Sequence, residues 1–178
     1  RNFMFNNFGV HVSNIFRKAE EERLTLHHPY VGTEHLLLGI LALDKDMANY
    51  LKEYNLTYSS FKKELNIMVG NATKACEINL YTPLLKRVIN NALDNAKENN
   101  NSLVTPRHLV LSILEEGEGI AIRLLIGMGI DIDEIYENLN KNNLTANKKL
   151  EIYETGILLN NSINFEENVI GREKEIEQ

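Results

Sequence analysis

The hydrophobic residues near the N-terminus of the chain fall at the spacing of α-helices. A first group has charged residues on its opposite side and predicts one amphipathic helix. Its apolar members are Phe8, Val12, Ile15, Phe16, Ala19 and Leu26. The next group, Leu36–Leu41, is apolar nearly all round, which predicts a helix buried between others. Met47–Tyr54 and Phe61–Val69 predict two more helices, and Thr57 is the predicted N-cap of the second.

The same hydrophobic pattern then occurs a second time. The periodicity lapses from Cys76 onwards, and Thr82-Pro83 predicts a new helix, with a capping hydroxyl before a proline at the first helical position. Beyond it, apolar positions match those of the first half without a gap, at a constant offset of 73 residues. The matched pairs run from Ile15 with Val88, through His35 with His108, to Ala48 with Ala121 and Leu51 with Leu124.

This repetition predicts an all-α fold of two tandem, pseudo-symmetric four-helix repeats, each of which needs the other to bury its apolar face. The repeats are assigned to residues 4–70 and 81–143, with an inter-repeat loop at 71–80. Residues 144–178 are rich in Asn, Lys and Glu, and they are predicted to form an extended linker.

Composition narrows the possible partners. A net charge of −6 and a pI near 5.4 argue against nucleic-acid binding. The longest apolar run, Ile120–Ile130, is interrupted by Arg123 and is about half the length of a bilayer span, so no membrane segment is expected. Cys76 is the single cysteine and is interpreted as a structural thiol rather than a nucleophile. Because the chain starts at Arg1, we expect it to be a piece of a longer protein.

The sequence shows no recognisable catalytic motif. No P-loop spacing occurs, and the glycine pairs Gly117/Gly119 and Gly127/Gly129 fit turns between helices better than a dinucleotide fingerprint. His27, His28 and His35 lack the spacing of a helical metal site, and the recurrence of His35 as His108 favours a structural hydrogen-bonding role. The expectation is a binding module with no catalytic residue, no metal and no cofactor of its own.

The segment Val31-Gly32-Thr33-Glu34 offers the most specific binding chemistry. Gly32 permits close approach to the backbone, Thr33 is the predicted helix cap, and Glu34 adds a carboxylate beside free helix-start amides. Such a place can hold a zwitterionic ligand or a cation together with an anion. The alternative is that Thr33 and Glu34 only cap the helix and complement its dipole.

Five segments of this chain together resemble the Clp N-terminal domain, the double Clp repeat that precedes the ATPase modules of Clp proteins, in its ClpC version. The segments are Met4–Phe8, Ala19–Glu22, Gly32–Gly39, Glu115–Ala121 and Glu167–Glu177. The last of them resembles the start of a first AAA+ module. There, the strip Val169, Ile170, Gly171 and Arg172 is implied to lie beside the adenine.

The resemblance implies a substrate- and adaptor-binding domain of an ATP-dependent Clp unfoldase that delivers proteins to a ClpP-type protease. It implies a hexamer in the full-length protein, with ATP and magnesium bound by downstream modules. One rival is the N-domain of a ClpB-type disaggregase, and another is a stand-alone helical interaction module, against which the Val169–Arg172 strip argues. The Asn, Lys and Ile bias indicates an AT-rich genome, and the resemblance implies a family that occurs in plastids as well as in bacterial cytoplasm. Together they favour a plastid-type organelle, such as an apicoplast stroma, over bacterial cytoplasm.

Two positions depart from the family pattern. In bacterial relatives, two equivalent glutamates mark twin pockets for phosphorylated arginine on substrates. Glu34 inherits that role by resemblance, whereas the second repeat reads Val104-Thr105-Pro106-Arg107-His108, so Arg107 puts the second pocket in doubt. Gly9 also stands where a threonine commonly opens the first helix.

The polypeptide of 178 residues is expected to be monomeric and without ATPase activity, because hexamer contacts and the P-loop are expected in later modules. Sedimentation and a phosphate-release assay on the purified chain test this expectation. Turnover above that of a mock purification from cells lacking the chain would overturn it.

Overall fold

The computed structural model describes residues 8–71, 78–99 and 103–141. The chain divides into two compact units, Arg1–Glu137 and Asn138–Gln178, and of the second only residues 138–141 are described. Several predicted features therefore lie outside the described residues: Cys76, the linker at 144–178 and the Val169–Arg172 strip.

The described part of the chain is all-α, as predicted. Its helices are α1 Val10–Thr25, α2 Thr33–Leu43, α3 Lys45–Lys52, α4 Tyr58–Met68, α5 Pro83–Glu98, α6 Pro106–Glu116, α7 Ile120–Gly127 and α8 at 132–141. Strand pairing there is limited to two isolated bridges. Among the described helices, none combines the length and apolar character that a membrane span requires.

Side-chain caps begin several of these helices. The hydroxyl oxygens of Thr57 and Thr82 accept hydrogen bonds from the backbone N–H groups of Ser60 and Leu85, which confirms both predicted caps. Helix α1 begins without such a bond because Gly9 is its cap residue. Each cap satisfies a backbone donor that the first turn of a helix would otherwise leave unpaired.

The pseudo-two-fold relation between the repeats is visible in their first contacts. Phe8 forms a parallel bridge with Val104, and Val31 forms one with Tyr81. Phe8 and Tyr81 occupy equivalent positions in the two repeats, 73 residues apart, and so do Val31 and Val104. The two bridges are therefore equivalent contacts related by the pseudo-two-fold axis. The Phe16 ring stacks against both sides of this arrangement, with centroids 5.3 Å from Phe8 and 6.3 Å from Tyr81. The start of each repeat therefore pairs with the segment before the second helix of the other repeat.

The register between the repeats shifts after their second helices. The N–H of Leu56 donates to Leu51 O, and the N–H of Ile130 donates to Leu125 O, so Leu51 corresponds to Leu125, 74 positions later, and not to Leu124. The predicted gap-free offset of 73 is wrong beyond α6. The longer turn there, with Gly117 at φ 65° and Gly119 at φ 99°, replaces the single residue Asp44 between α2 and α3.

Helix α2 lies at the centre of the fold, as its apolar pattern predicted. It crosses α1 so closely that a Cβ on Gly39 would lie 2.6 Å from the carbonyl oxygen of Ile15. At the equivalent crossing of α6 over α5, Ser112 stands in place of Gly39, and its hydroxyl donates a 2.7 Å hydrogen bond to Val88 O. The two repeats thus have different residues, Gly39 and Ser112, where their first and second helices cross.

Gly39→Ala should destabilise the protein by about 1–3 kcal/mol, because the added methyl must push α1 and α2 apart. Urea unfolding measures this change. The matched control is Gly127→Ala, a second helical glycine whose added Cβ would meet nothing within 4 Å and which should be neutral or slightly stabilising. Equal effects of the two substitutions would contradict the close crossing.

Candidate functional site

The start of α2 is organised around Gly32. Gly32 is the N-cap, in an extended conformation with φ −117° and ψ −175°, so the prediction of Thr33 as the cap is wrong. Thr33 is instead the first helical residue. It is 2% exposed, and its Oγ1 has no hydrogen-bond partner among the described residues. Glycine is tolerated at a cap because it adopts extended backbone freely and crowds nothing.

Glu34 folds back over Gly32. Its Oε1 lies 2.5 Å from where a Cβ on residue 32 would be, so only glycine leaves room for the carboxyl group in this place. The side chain is buried, with 7% of the residue exposed. Burial raises the pKa of Glu34 to about 7, against the opposing effects of its own backbone N–H and of Arg123 on α7.

A chain of buried hydrogen bonds fixes the segment from the other side. The N–H of Gly32 donates to His35 Nδ1 at 2.9 Å, which leaves the proton of His35 on Nε2. That Nε2–H donates to His28 Nδ1 at 2.9 Å, and His28 Nε2–H donates to Gly70 O at 2.7 Å. Both rings are therefore neutral. Burial, reinforced by the positive charge of Arg23, lowers the pKa of His35 to about 3.

The same three side chains, His28, Glu34 and His35, are close enough to hold a metal ion, since one ligand atom from each lies within 4.8 Å of the others. Every imidazole nitrogen already has a hydrogen-bond partner in the chain just described. The predicted structural role of His35 therefore accounts for its geometry without an ion.

The second repeat carries an equivalent helix start with different chemistry. Thr105 is the N-cap of α6, and its N–H donates to His108 Nδ1 at 2.9 Å, as Gly32 does to His35. Arg107 takes the place of Glu34, and its Nε is buried without a hydrogen-bond partner among the described residues. Thr105 is exposed and Arg107 half-buried, whereas their counterparts Gly32 and Glu34 are buried. The twin site is thus more open and opposite in charge.

Residues of the second repeat complete the first site, and sequence reasoning missed them. A Cβ on Gly119, at the start of α7, would lie 3.5 Å from Thr33 Oγ1 and would collide with Leu84. Arg123, one turn further along α7, acts electrostatically on Glu34. The remaining predicted residue, Val31, is buried in its bridge, where its N–H donates to Leu80 O. The Gly117-Glu118-Gly119 turn was the available signal, because it begins α7.

The sequence matches the family model for the Clp repeat (R) N-terminal domain twice, over residues 7–93 and 80–162. The chain belongs to the Clp repeat N-terminal domain family. The double match agrees with the two bridges that relate the repeats.

Relatives of this Clp domain are found in both bacterial and plastid-type Clp proteins. The chain is 32% identical over 132 residues to the negative regulator of genetic competence ClpC/MecB of Bacillus subtilis, and 30% identical over 132 residues to the chaperone protein ClpB of Oceanobacillus iheyensis. Each alignment covers 74% of this chain but only 16% of the relative.

Solved structures share the fold of this Clp domain. The N-terminal domain of the chaperone ClpD from Arabidopsis thaliana superposes with a TM-score of 0.66 at 20% identity, covering 78% of this chain and 98% of that one. A complex of the ClpV N-domain with a VipB peptide gives a TM-score of 0.59 at 17% identity, covering 76% and 86%.

The two buried titrating groups should have opposite effects on stability. The pKa of His35 is about 3 in the folded protein and 6.5 in the unfolded chain. Acidification below about pH 6.5 therefore protonates the unfolded chain first and lowers the free energy of unfolding. Glu34 titrates near 7 when folded and 4.5 when unfolded, so acidification from about pH 7 to 4.5 adds stability. Glu34→Gln should therefore make stability fall more steeply than in wild type, by about 1.4 kcal/mol per pH unit between about pH 5 and 6.5.

Urea unfolding at several pH values measures the two slopes. The control is Glu118→Gln, whose side chain is 62% exposed and should leave the wild-type slope unchanged. Indistinguishable slopes for Glu34→Gln and wild type would refute the shifted titration of Glu34.

Proposed function

We propose that this Clp domain docks protein substrates or adaptors for an ATP-dependent Clp unfoldase, and that the start of α2 is a binding point for a charged group of the ligand. The observation that carries this proposal is the convergence of Gly32, Thr33 and Glu34 with the start of α7 in a domain whose family match runs through both repeats. The peptide complex of the ClpV N-domain supports peptide binding by this fold.

The residues at this point suit a ligand that carries a guanidinium and an anion together. The Glu34 carboxylate can accept a charge-assisted hydrogen bond from a guanidinium, which is worth about 1.5–3 kcal/mol. Helix-start amides and the buried hydroxyl of Thr33 offer donors to the anionic part. A phosphorylated arginine on a substrate combines both charges, and it is the ligand class that we propose.

The twin site at Thr105 and Arg107 should not bind this ligand. Arg107 places a positive charge where Glu34 has an acid, and like charges in partly buried surroundings repel strongly enough to lower affinity at least tenfold. Pro106 also lacks the backbone N–H that could meet a phosphate. The domain is proposed to have one such site where the family pattern has two.

We also propose a role for the full-length protein, based on its similarity to Clp proteins. The full-length protein is proposed to be an AAA+ ATPase that forms a hexamer, uses ATP and magnesium in downstream modules, and hands unfolded substrates to a ClpP-type protease. A plastid-type organelle is the proposed compartment, supported by the Asn, Lys and Ile bias of the sequence. In all of this the present domain would bind and not catalyse.

Calorimetric titration with a peptide that contains phosphorylated arginine should give one binding site per chain. Glu34→Ala should abolish binding, because it removes the acid that recognises the guanidinium. Arg107→Glu should create a second, weaker site. The matched control is Glu21→Ala, which removes an acid on α1 whose side chain is 71% exposed, and this variant should bind as wild type does.

Two equal sites in the wild-type chain would contradict the assigned asymmetry. Absence of binding would contradict the phosphoarginine ligand and favour an adaptor surface elsewhere on the domain, with Glu34 acting only on its own helix.

A further inference from the structure

We propose that Glu34 is an internal ligand of its own site: its carboxyl group closes the start of α2 and must swing out as a carboxylate before a cationic group can bind. The inference rests on the docking site proposed above and adds a control mechanism to it. In the closed arrangement described here, the recognising acid is folded inwards and is 7% exposed.

Two geometric observations and one electrostatic effect carry this inference. The carboxyl group covers Gly32, with Oε1 2.5 Å from the position of the missing Cβ. It interacts with the backbone N–H of Glu34 itself, the kind of donor that a bound anion would use. Beside it, Thr33 Oγ1 is buried and has no partner among the described residues. Polar groups that could meet a ligand thus lie together here, and the chain's own acid covers them.

The groups around the carboxyl come from several elements. On α2, His35 Nδ1 lies 3.8 Å from Glu34 Oε2, and it accepts a hydrogen bond from Gly32 N–H, so it gives Glu34 no positive charge. His28, before α2, is held in the same hydrogen-bond chain. Arg123 of α7 is the full positive charge that acts on Glu34, and the neighbouring Leu84 of α5 is apolar. Arg23 of α1 acts on His35.

Such an environment favours the uncharged acid in the closed site. Burial raises the pKa of Glu34 to about 7, so at about pH 6 some nine-tenths of the closed form is protonated, and at about pH 8 some nine-tenths is ionised. Opening at the lower pH therefore requires loss of a proton as well as movement of the side chain. A cationic ligand should bind about tenfold more weakly at pH 6 than at pH 8.

Gly32→Ala is the selective test of the closed arrangement. The extended backbone of residue 32 accepts any side chain, while the new Cβ would meet only the flexible end of Glu34. The carboxyl group should be displaced into solvent and titrate near its ordinary 4.5. A ¹³C NMR titration of the Glu34 carboxyl, assigned with Glu34→Gln, reads this directly in both proteins.

Binding of the phosphoarginine peptide at about pH 6 and pH 8 is measured in parallel. Wild type should show the tenfold difference, Gly32→Ala should lose it, and Glu21→Gln, an acid on α1 with a side chain 71% exposed, should keep it. A wild-type carboxyl that titrates near 4.5, or an affinity equal at both pH values, would overturn the internal-ligand proposal, and the second result leaves the docking site itself intact.

The two proposals can also be separated in the opposite direction. A peptide that binds at neither pH would refute the docking site. If the Glu34 carboxyl then still titrates near 7 in wild type and shifts in Gly32→Ala, its closed contact over Gly32 stands as a structural feature alone.

Discussion

Every residue of α2 from Thr33 to Leu41 is buried, so each side of this helix must be covered by another element. Helices α1, α3 and α4 of its own repeat cover part of it, and α5, α6 and α7 of the second repeat cover the rest. Leu36, Leu37 and Leu38 are each no more than 2% exposed, and burial of one such side chain contributes about 1.5–3 kcal/mol. A single repeat would leave much of this surface in water, so the two repeats depend on each other.

The same dependence builds the candidate site. Because α2 must be covered at its start as well as along its length, the turn before α7 lies against Thr33. The start of α2 is consequently covered by the second repeat, and the carboxyl group of Glu34 is buried there. In the second repeat the equivalent start of α6 is more open and carries Arg107. The two repeats thus have equivalent helix starts that differ in burial and carry side chains of opposite charge, Glu34 and Arg107.

Local signals in the sequence predicted much of this architecture. Helical periodicity and the threonine caps identify α1 to α7 because those features act within a few residues. The assignment of Thr33 as a cap failed because Gly32 and Thr33 are both acceptable there, and tertiary packing decides between them. The shift to an offset of 74 was hidden because apolar Leu124 and Leu125 both fit the pattern. The neighbours of this segment from the second repeat, Gly119 beside Thr33 and Arg123 acting on Glu34, are distant in sequence and come close only in the folded chain.

We propose that this Clp domain recognises its ligand at the junction of α2 and α7, in one repeat only. Backbone amide NMR shifts of the chain, recorded during titration with a phosphoarginine peptide near pH 8, test it most directly. The account predicts the largest changes at Gly32, Thr33, Glu34 and the start of α7, with Thr105 and Arg107 unaffected. Changes centred on the start of α6, or spread over a surface that leaves Glu34 unmoved, would contradict it.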